Sequence, residues 1–129
     1  MLWVLQCIYD GQMGRIEDNN TDGDPFCIKG GVRQGCVLSP RLFSCVLEVA
    51  LGCWRRKVGN AGVDFQDGMR TLLDLRFADD ILLFAKTFEE TTFLLDELVT
   101  CLAEVGLQLN VRKTKVLTTQ SHSPSEVLL

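Results

Sequence analysis

Two adjacent aspartates, Asp79 and Asp80, interrupt an otherwise apolar ribbon, LLDLRFADDILLFAKT, at residues 72–87. An aspartate pair at a turn has an ordinary structural reading, because aspartate favours turns by bonding its own backbone. The setting supplies a second one. Leu72–Phe77 and Ile81–Phe84 each have the length of a strand, and the link Ala78-Asp79-Asp80 is too short for anything but a tight hairpin. Two carboxylates projecting from a buried sheet repel each other unless a cation sits beside them. Magnesium, with manganese as its substitute, suits such a pair, since a hard cation takes one or two carboxylates together with water and substrate phosphates. The corresponding chemistry is phosphoryl transfer.

Two further stretches could contribute. In GGVRQGCVLSP, residues 30–40, glycines allow close backbone approach to a ligand, Gln34 offers uncharged donors and an acceptor, and Arg33 can meet a phosphate. An ordinary glycine loop at Gly30, Gly31 and Gly35 is the competing reading. In LNVRKTK, residues 109–115, Lys113 and Lys115 fall on one side of an expected strand; a solvated basic turn is the alternative.

The chain of 129 residues fits one domain, read here as residues 1–120 with an irregular tail at 121–129. Its net charge of −4 argues against a general basic coat for nucleic acid. Residues 25–60 nevertheless carry six basic residues against one acidic one, and residues 61–100 three basic against nine acidic. A polyanion could therefore be held on one face while carboxylates cluster on another, although Arg55, Arg56 and Lys57 read as a solvated helix end. The six cysteines form no CxxC pair and the single histidine, His122, lies in the tail, which speaks against zinc. With no signal peptide and no apolar run of about 18 residues, the expectation is a soluble intracellular chain with reduced, mostly buried thiols and no membrane partner.

The elements that would position these residues follow from local signals. Residues 2–9 read as the end of a buried helix or strand, and residues 13–29 as a β-hairpin around NNTDGD. Ser39 as N-cap and Pro40 at the first helical position start a buried helix over 40–57, which Gly59 stops. After a short strand and turn in NAGVDFQDG come the two ribbons around the aspartates. Thr87 and Glu90 form a capping box for a second helix with Leu95, Leu98, Leu102 and Val105 as its apolar stripe, ended by Gly106. LQLN, residues 107–110, and KVLTT, residues 115–119, read as short strands. The expected fold class is α+β: a small antiparallel sheet backed by two helices on one face.

Taken together, GVRQGCVLSPRLF, FADD and GLQLNVRKTKVL, in that order across residues 30–118, resemble the reverse transcriptases of non-LTR retrotransposons of the long-interspersed-element kind. The resemblance implies the palm subdomain of a right-hand polymerase. It implies transfer of deoxynucleotides to a DNA primer on an RNA template, with two magnesium ions. On that basis Asp79 coordinates metal directly, Asp80 more weakly, and Phe77 braces the primer end unless it is simply a core phenylalanine. Arg33, Gln34 and Gly35 would lie beneath the incoming nucleotide and template, and Lys113 near the departing pyrophosphate. The family places a third carboxylate on an earlier strand; Asp10, in CIYDGQMG, does not match that context, so the third ligand, the upstream palm strand, fingers and thumb are expected to be missing. The isolated chain would then be inactive. The alternative is an inactive retroelement remnant that keeps the palm fold and binds nucleic acid through residues 25–60; an RNA-templated RNA polymerase palm is more distant. Nuclear residence follows from the family alone.

Overall fold

The structure is a computed structural model and describes residues 2–18, 21–64 and 71–119. It is α+β, with three helices and four two-stranded antiparallel ladders among the described residues, and it divides between Cys36 and Val37 into two compact units. The expected tail at 121–129 lies outside the described residues.

The first unit opens with helix α1, Leu2–Tyr9. The Nε2 of Gln12 donates to the Ile8 carbonyl at 3.0 Å, satisfying one of the acceptors that a helix C-terminus leaves open. Strand β1, Met13–Gly14, pairs with β4, Phe26–Cys27, and β2, Glu17–Asp18, pairs with β3, Thr21–Asp22. The expected hairpin over 13–29 is therefore present, with one change of register along it: Met13 faces Cys27, whereas Glu17 faces Asp22, so one extra residue is accommodated on the returning arm. The expectation that residues 2–9 are buried fails, and so does that of mostly buried thiols, since Cys7, Cys27 and Cys45 are exposed and of the six cysteines Cys101 alone is buried. Trp3, Val4 and Ile8 are exposed, because the ladders of this unit are too short to present an apolar surface for them.

The second unit holds the core. Helix α2, Ser39–Val58, and helix α3, Phe88–Glu104, pack against each other. Leu47, Ala50, Leu51, Trp54 and Val58 recur at helical spacing on α2 and meet Leu94, Leu98, Cys101 and Leu102 of α3. Ser39 is not the N-cap of α2. The Leu38 carbonyl already accepts from the Leu42 N–H at 3.0 Å, so the helix begins one residue earlier, with Leu38 as a cap that offers no side-chain acceptor. Gly59 does end it, its N–H reaching the Arg55 carbonyl. On α3 the capping box is as expected at Thr87, whose hydroxyl accepts from the Glu90 N–H at 3.1 Å.

The sheet departs most from expectation. Strand β5, Val63–Asp64, pairs with β6, Thr71–Leu72, while β7, Asp74–Phe77, pairs with β8, Asp80–Leu83. The chain changes partner at Leu73, whose carbonyl accepts from the Phe84 N–H at 2.9 Å, so one sheet becomes two ladders. Gly62 allows the crowding there: it sits at φ +109°, and a Cβ would lie 2.5 Å from the Leu72 carbonyl oxygen. Residues 107–110 and 115–119 are not strands. Leu107 and Leu109 do alternate inward against the core, but no strand among the described residues pairs with them, and the Lys113 and Thr114 N–H groups close a turn on the Asn110 carbonyl instead.

Candidate functional site

The site is built on the β7–β8 hairpin. Its register pairs Asp74 with Leu83, Leu75 with Leu82, Arg76 with Ile81 and Phe77 with Asp80, leaving Ala78 and Asp79 as a two-residue turn. Side chains that face each other across a ladder share a face of the sheet. One face therefore carries Asp74, Arg76, Ile81 and Leu83, and the other Leu75, Phe77, Asp80 and Leu82. The first face packs inward, with Ile81 and Leu83 against the α2–α3 core. The second is open: Leu75 is 53% exposed, Leu82 57% and Phe77 83%. The flanking strands are thus buried on one side only, and Phe77 is not a core residue.

The turn geometry explains how the aspartates are presented. Ala78 has φ +54°, and Asp79 is not in the left-handed region, the φ pattern of a type II′ hairpin turn with alanine where glycine is usual. This compact tip puts Asp79 at the apex and Asp80 at the first position of β8, both exposed. No cation among the described residues pairs with either. Two hard oxygen donors without a counter-charge suit magnesium or manganese, and no group of three or more His, Cys, Asp or Glu that could hold a metal exists among the described residues.

The other predicted residues occupy turns of their own. Arg33, Gln34 and Gly35 lie exposed in the first unit, where the Cys36 N–H donates to the Arg33 carbonyl at 3.3 Å. Gly35, at φ +79°, takes the position of that turn which requires a left-handed residue, so the glycine has a local reason whatever it contacts. Lys113 is exposed in the turn after Asn110. Since this is not a strand, its placement on one side with Lys115 does not hold.

A charged network under the hairpin went unforeseen. Arg55 Nε and Nη2 donate to Asp74 Oδ1 and Oδ2 at 3.0 and 2.8 Å, a bidentate pair, and Arg55 Nη1 reaches Glu48 Oε1 at 2.9 Å. Glu48 Oε2 in turn accepts from Arg76 Nη1 at 3.0 Å. Hydrogen bonding to Asp74 is the largest reason that the Arg55 guanidinium binds its proton more tightly than usual. The solvated helix end expected at Arg55–Lys57 is corrected at Arg55, which is tied to Asp74; Arg56 and Lys57 are exposed as expected, with Lys57 3.7 Å from Glu97 and 3.6 Å from Glu104 on α3. The signal was Asp74 itself, a charge inside the apolar run LLDLRF that needed a cation on a neighbouring element.

A second polar junction fixes the start of α3. Glu90 accepts from the Gly62 N–H at 2.9 Å and the Lys86 N–H at 2.6 Å, and these two backbone donors hold its carboxyl below the usual glutamate range. Asp64 and Lys86 pair at 2.7 Å.

Comparison with known proteins supports what the three blocks suggested. Residues 1–126 match the family of reverse transcriptases (RNA-dependent DNA polymerases). The retrovirus-related Pol polyprotein from type-1 retrotransposable element R2 of Nasonia vitripennis is 37% identical over 117 residues, 91% of this chain and 10% of that protein. The corresponding polyprotein from type-2 retrotransposable element R2DM of Drosophila melanogaster is 32% identical over 109 residues, 84% of this chain and 10% of that one. A transposon-derived protein of Caenorhabditis elegans is 48% identical over 58 residues, 45% of this chain and 21% of its own length. The chain thus spans about a tenth of the two polyproteins it matches. No helix among the described residues is long and apolar enough to cross a membrane. With three motif blocks in order and a family match over nearly its whole length, the chain belongs to the reverse transcriptases, in their non-LTR retrotransposon branch.

Proposed function

We propose that this chain is part of the palm of an RNA-directed DNA polymerase, contributing the hairpin on which deoxynucleotides are joined to a primer 3′ hydroxyl. The observation that carries this reading is the exposed, uncompensated pair Asp79 and Asp80 on a tight turn whose strands are packed onto a helical core. In the reaction the primer 3′ oxygen bonds to the α-phosphorus of the nucleotide, the bond to pyrophosphate breaks, and the hydroxyl proton leaves. Magnesium or manganese, when bound, supplies Lewis acidity that promotes loss of that proton and offsets charge on the phosphates. Asp79 at the apex would hold the metal directly and Asp80 would assist. The exposed ring of Phe77, on the same face as Asp80, braces the primer end. Arg33 meets a phosphate, Gln34 and Gly35 line the nucleotide and template, and Lys113 offsets charge on the leaving pyrophosphate.

A second reading has its own observation. The family resemblance calls for a third carboxylate, and the described residues bring none to this pair. The chain alone would then be a remnant that keeps the palm fold and binds nucleic acid through its basic stretch.

Titration with Mn²⁺ separates the two. Binding by the 129-residue chain that is lost in Asp79→Ala/Asp80→Ala supports the polymerase reading. Equal and negligible binding in both proteins removes it, and RNA binding that weakens with salt but survives the double substitution would establish the remnant.

A further inference from the structure

We propose that Arg55 is the positioning residue of this hairpin: through Asp74, and through Glu48 to Arg76, it sets the direction in which Asp79 and Asp80 are presented. The inference rests on the metal-holding role assigned to those aspartates above.

The sequence places two charges, Asp74 and Arg76, at alternate positions of β7, and a strand of this kind would bury its inward face most easily with apolar residues alone. Both lie on the face that also carries Ile81 and Leu83 into the core. Asp74 has a side chain only 9% exposed, so its carboxylate has given up most of its water, and the Arg55 fork replaces that water with two aligned donors at 3.0 and 2.8 Å. Glu48 then accepts from Arg55 with one oxygen and from Arg76 with the other.

The geometry gives this network a purpose beyond stability. Asp74 and Arg76 are about 6.7 Å apart along the strand. A single anchor would fix one point and leave the strand able to pivot; two anchors on one helix fix a line. Glu48 and Arg55 stand two helical turns apart on α2, about 10.5 Å, so both anchors refer to one stiff element. The turn begins immediately past Arg76 and Phe77, and any tilt of β7 is transmitted to the aspartates. Arg55 is 39% exposed, so solvent screens its charge even though Asp74 is largely buried; hydrophobic packing of Ile81 and Leu83 supplies the attachment while the fork supplies its direction.

The test uses Mn²⁺ and the 129-residue chain with Arg55→Lys, Arg55→Gln, Glu48→Gln and Asp79→Ala/Asp80→Ala. Lysine keeps the charge but cannot form the fork. We expect Asp79→Ala/Asp80→Ala to abolish Mn²⁺ binding and both Arg55 variants to raise the dissociation constant about tenfold. Amide resonances of Asp79 and Asp80 should shift while the indole N–H resonance of Trp54 stays in place. Glu48→Gln, which leaves the Arg55–Asp74 fork intact, should give a smaller rise in the same direction and guards against loss of folding in Arg55→Gln. Wild-type affinity in Arg55→Lys and Glu48→Gln, with binding still lost in the aspartate variant, overturns the positioning role and leaves the polymerase reading standing. Binding that survives removal of both aspartates, or is absent from the unaltered chain, overturns the polymerase reading and this inference with it.

Discussion

The indole N–H of Trp54 donates to the Leu94 carbonyl at 2.9 Å from a position with no solvent exposure, joining α2 to α3 in the middle of the core. The ring fills the space between the helices, and its one polar atom is satisfied by a backbone oxygen, which is the condition for burying tryptophan without penalty. Trp54→Ala should lower unfolding free energy by about 3–5 kcal/mol and Trp54→Phe by about 1–3 kcal/mol, the latter combining lost volume with a lost hydrogen bond. Urea unfolding followed by circular dichroism reads both, and a loss below 1 kcal/mol for the alanine variant would mean that this ring does not organise the core.

Ala78 makes a prediction of opposite sign. Its φ of +54° places a Cβ in the left-handed region, which glycine occupies freely. Ala78→Gly should therefore stabilise the chain by up to about 1 kcal/mol, and Ala78→Val should destabilise it by more than that, because a β-branched side chain fits this region worst. Denaturation midpoints of the two variants on opposite sides of the wild type would bear this out; the same order for both would show that the turn relaxes to another conformation.

Acid sensitivity should trace to Glu90. Backbone donors from Gly62 and Lys86 hold its folded-state pKa below the unfolded value near about 4.3, so its contribution is fully present above that value and is lost as pH falls through the folded pKa. Glu90→Gln should be less stable at neutral pH and should lose less stability on acidification than the wild type. Parallel curves of stability against pH for the two proteins would exclude Glu90 as a source of the acid response.

Helices α2 and α3 and the aspartate hairpin were legible in the sequence because each rests on local signals: a 3.6-residue apolar period, a Thr-x-x-Glu box, and two apolar runs joined by a link too short for a loop. The Ser39 cap failed locally, because the helix starts one residue earlier, with Leu38 as its cap, but the other failures depended on partners distant in the chain. LQLN alternates as a strand does and Leu107 and Leu109 do turn inward, but alternation cannot say whether a neighbour exists to bond the backbone. The same limit hid the partner change at Leu73, and it hid Arg55, whose role depends on Asp74 being brought from 19 residues away. Of the candidate site residues, Asp79, Asp80 and Phe77 share the hairpin tip, where a motif read along one element suffices.

Chemistry and stability separate at the hairpin tip itself. Asp79 and Asp80 are exposed neighbours of like charge without a cationic partner among the described residues, so neither contributes an interaction that the fold would miss. Replacing both by alanine removes mutual repulsion and leaves the inward face of the hairpin, with Ile81 and Leu83, unchanged. The double variant should therefore keep wild-type stability within about 0.5 kcal/mol, or exceed it, in the absence of metal. With Mn²⁺ added, the order should reverse, because only the wild type gains stability from an ion bound to the folded state. Thermal unfolding of both proteins with and without Mn²⁺ reads this crossing. A double variant that is clearly less stable without metal would instead make the aspartates structural turn residues, as their position in a tight hairpin would also allow.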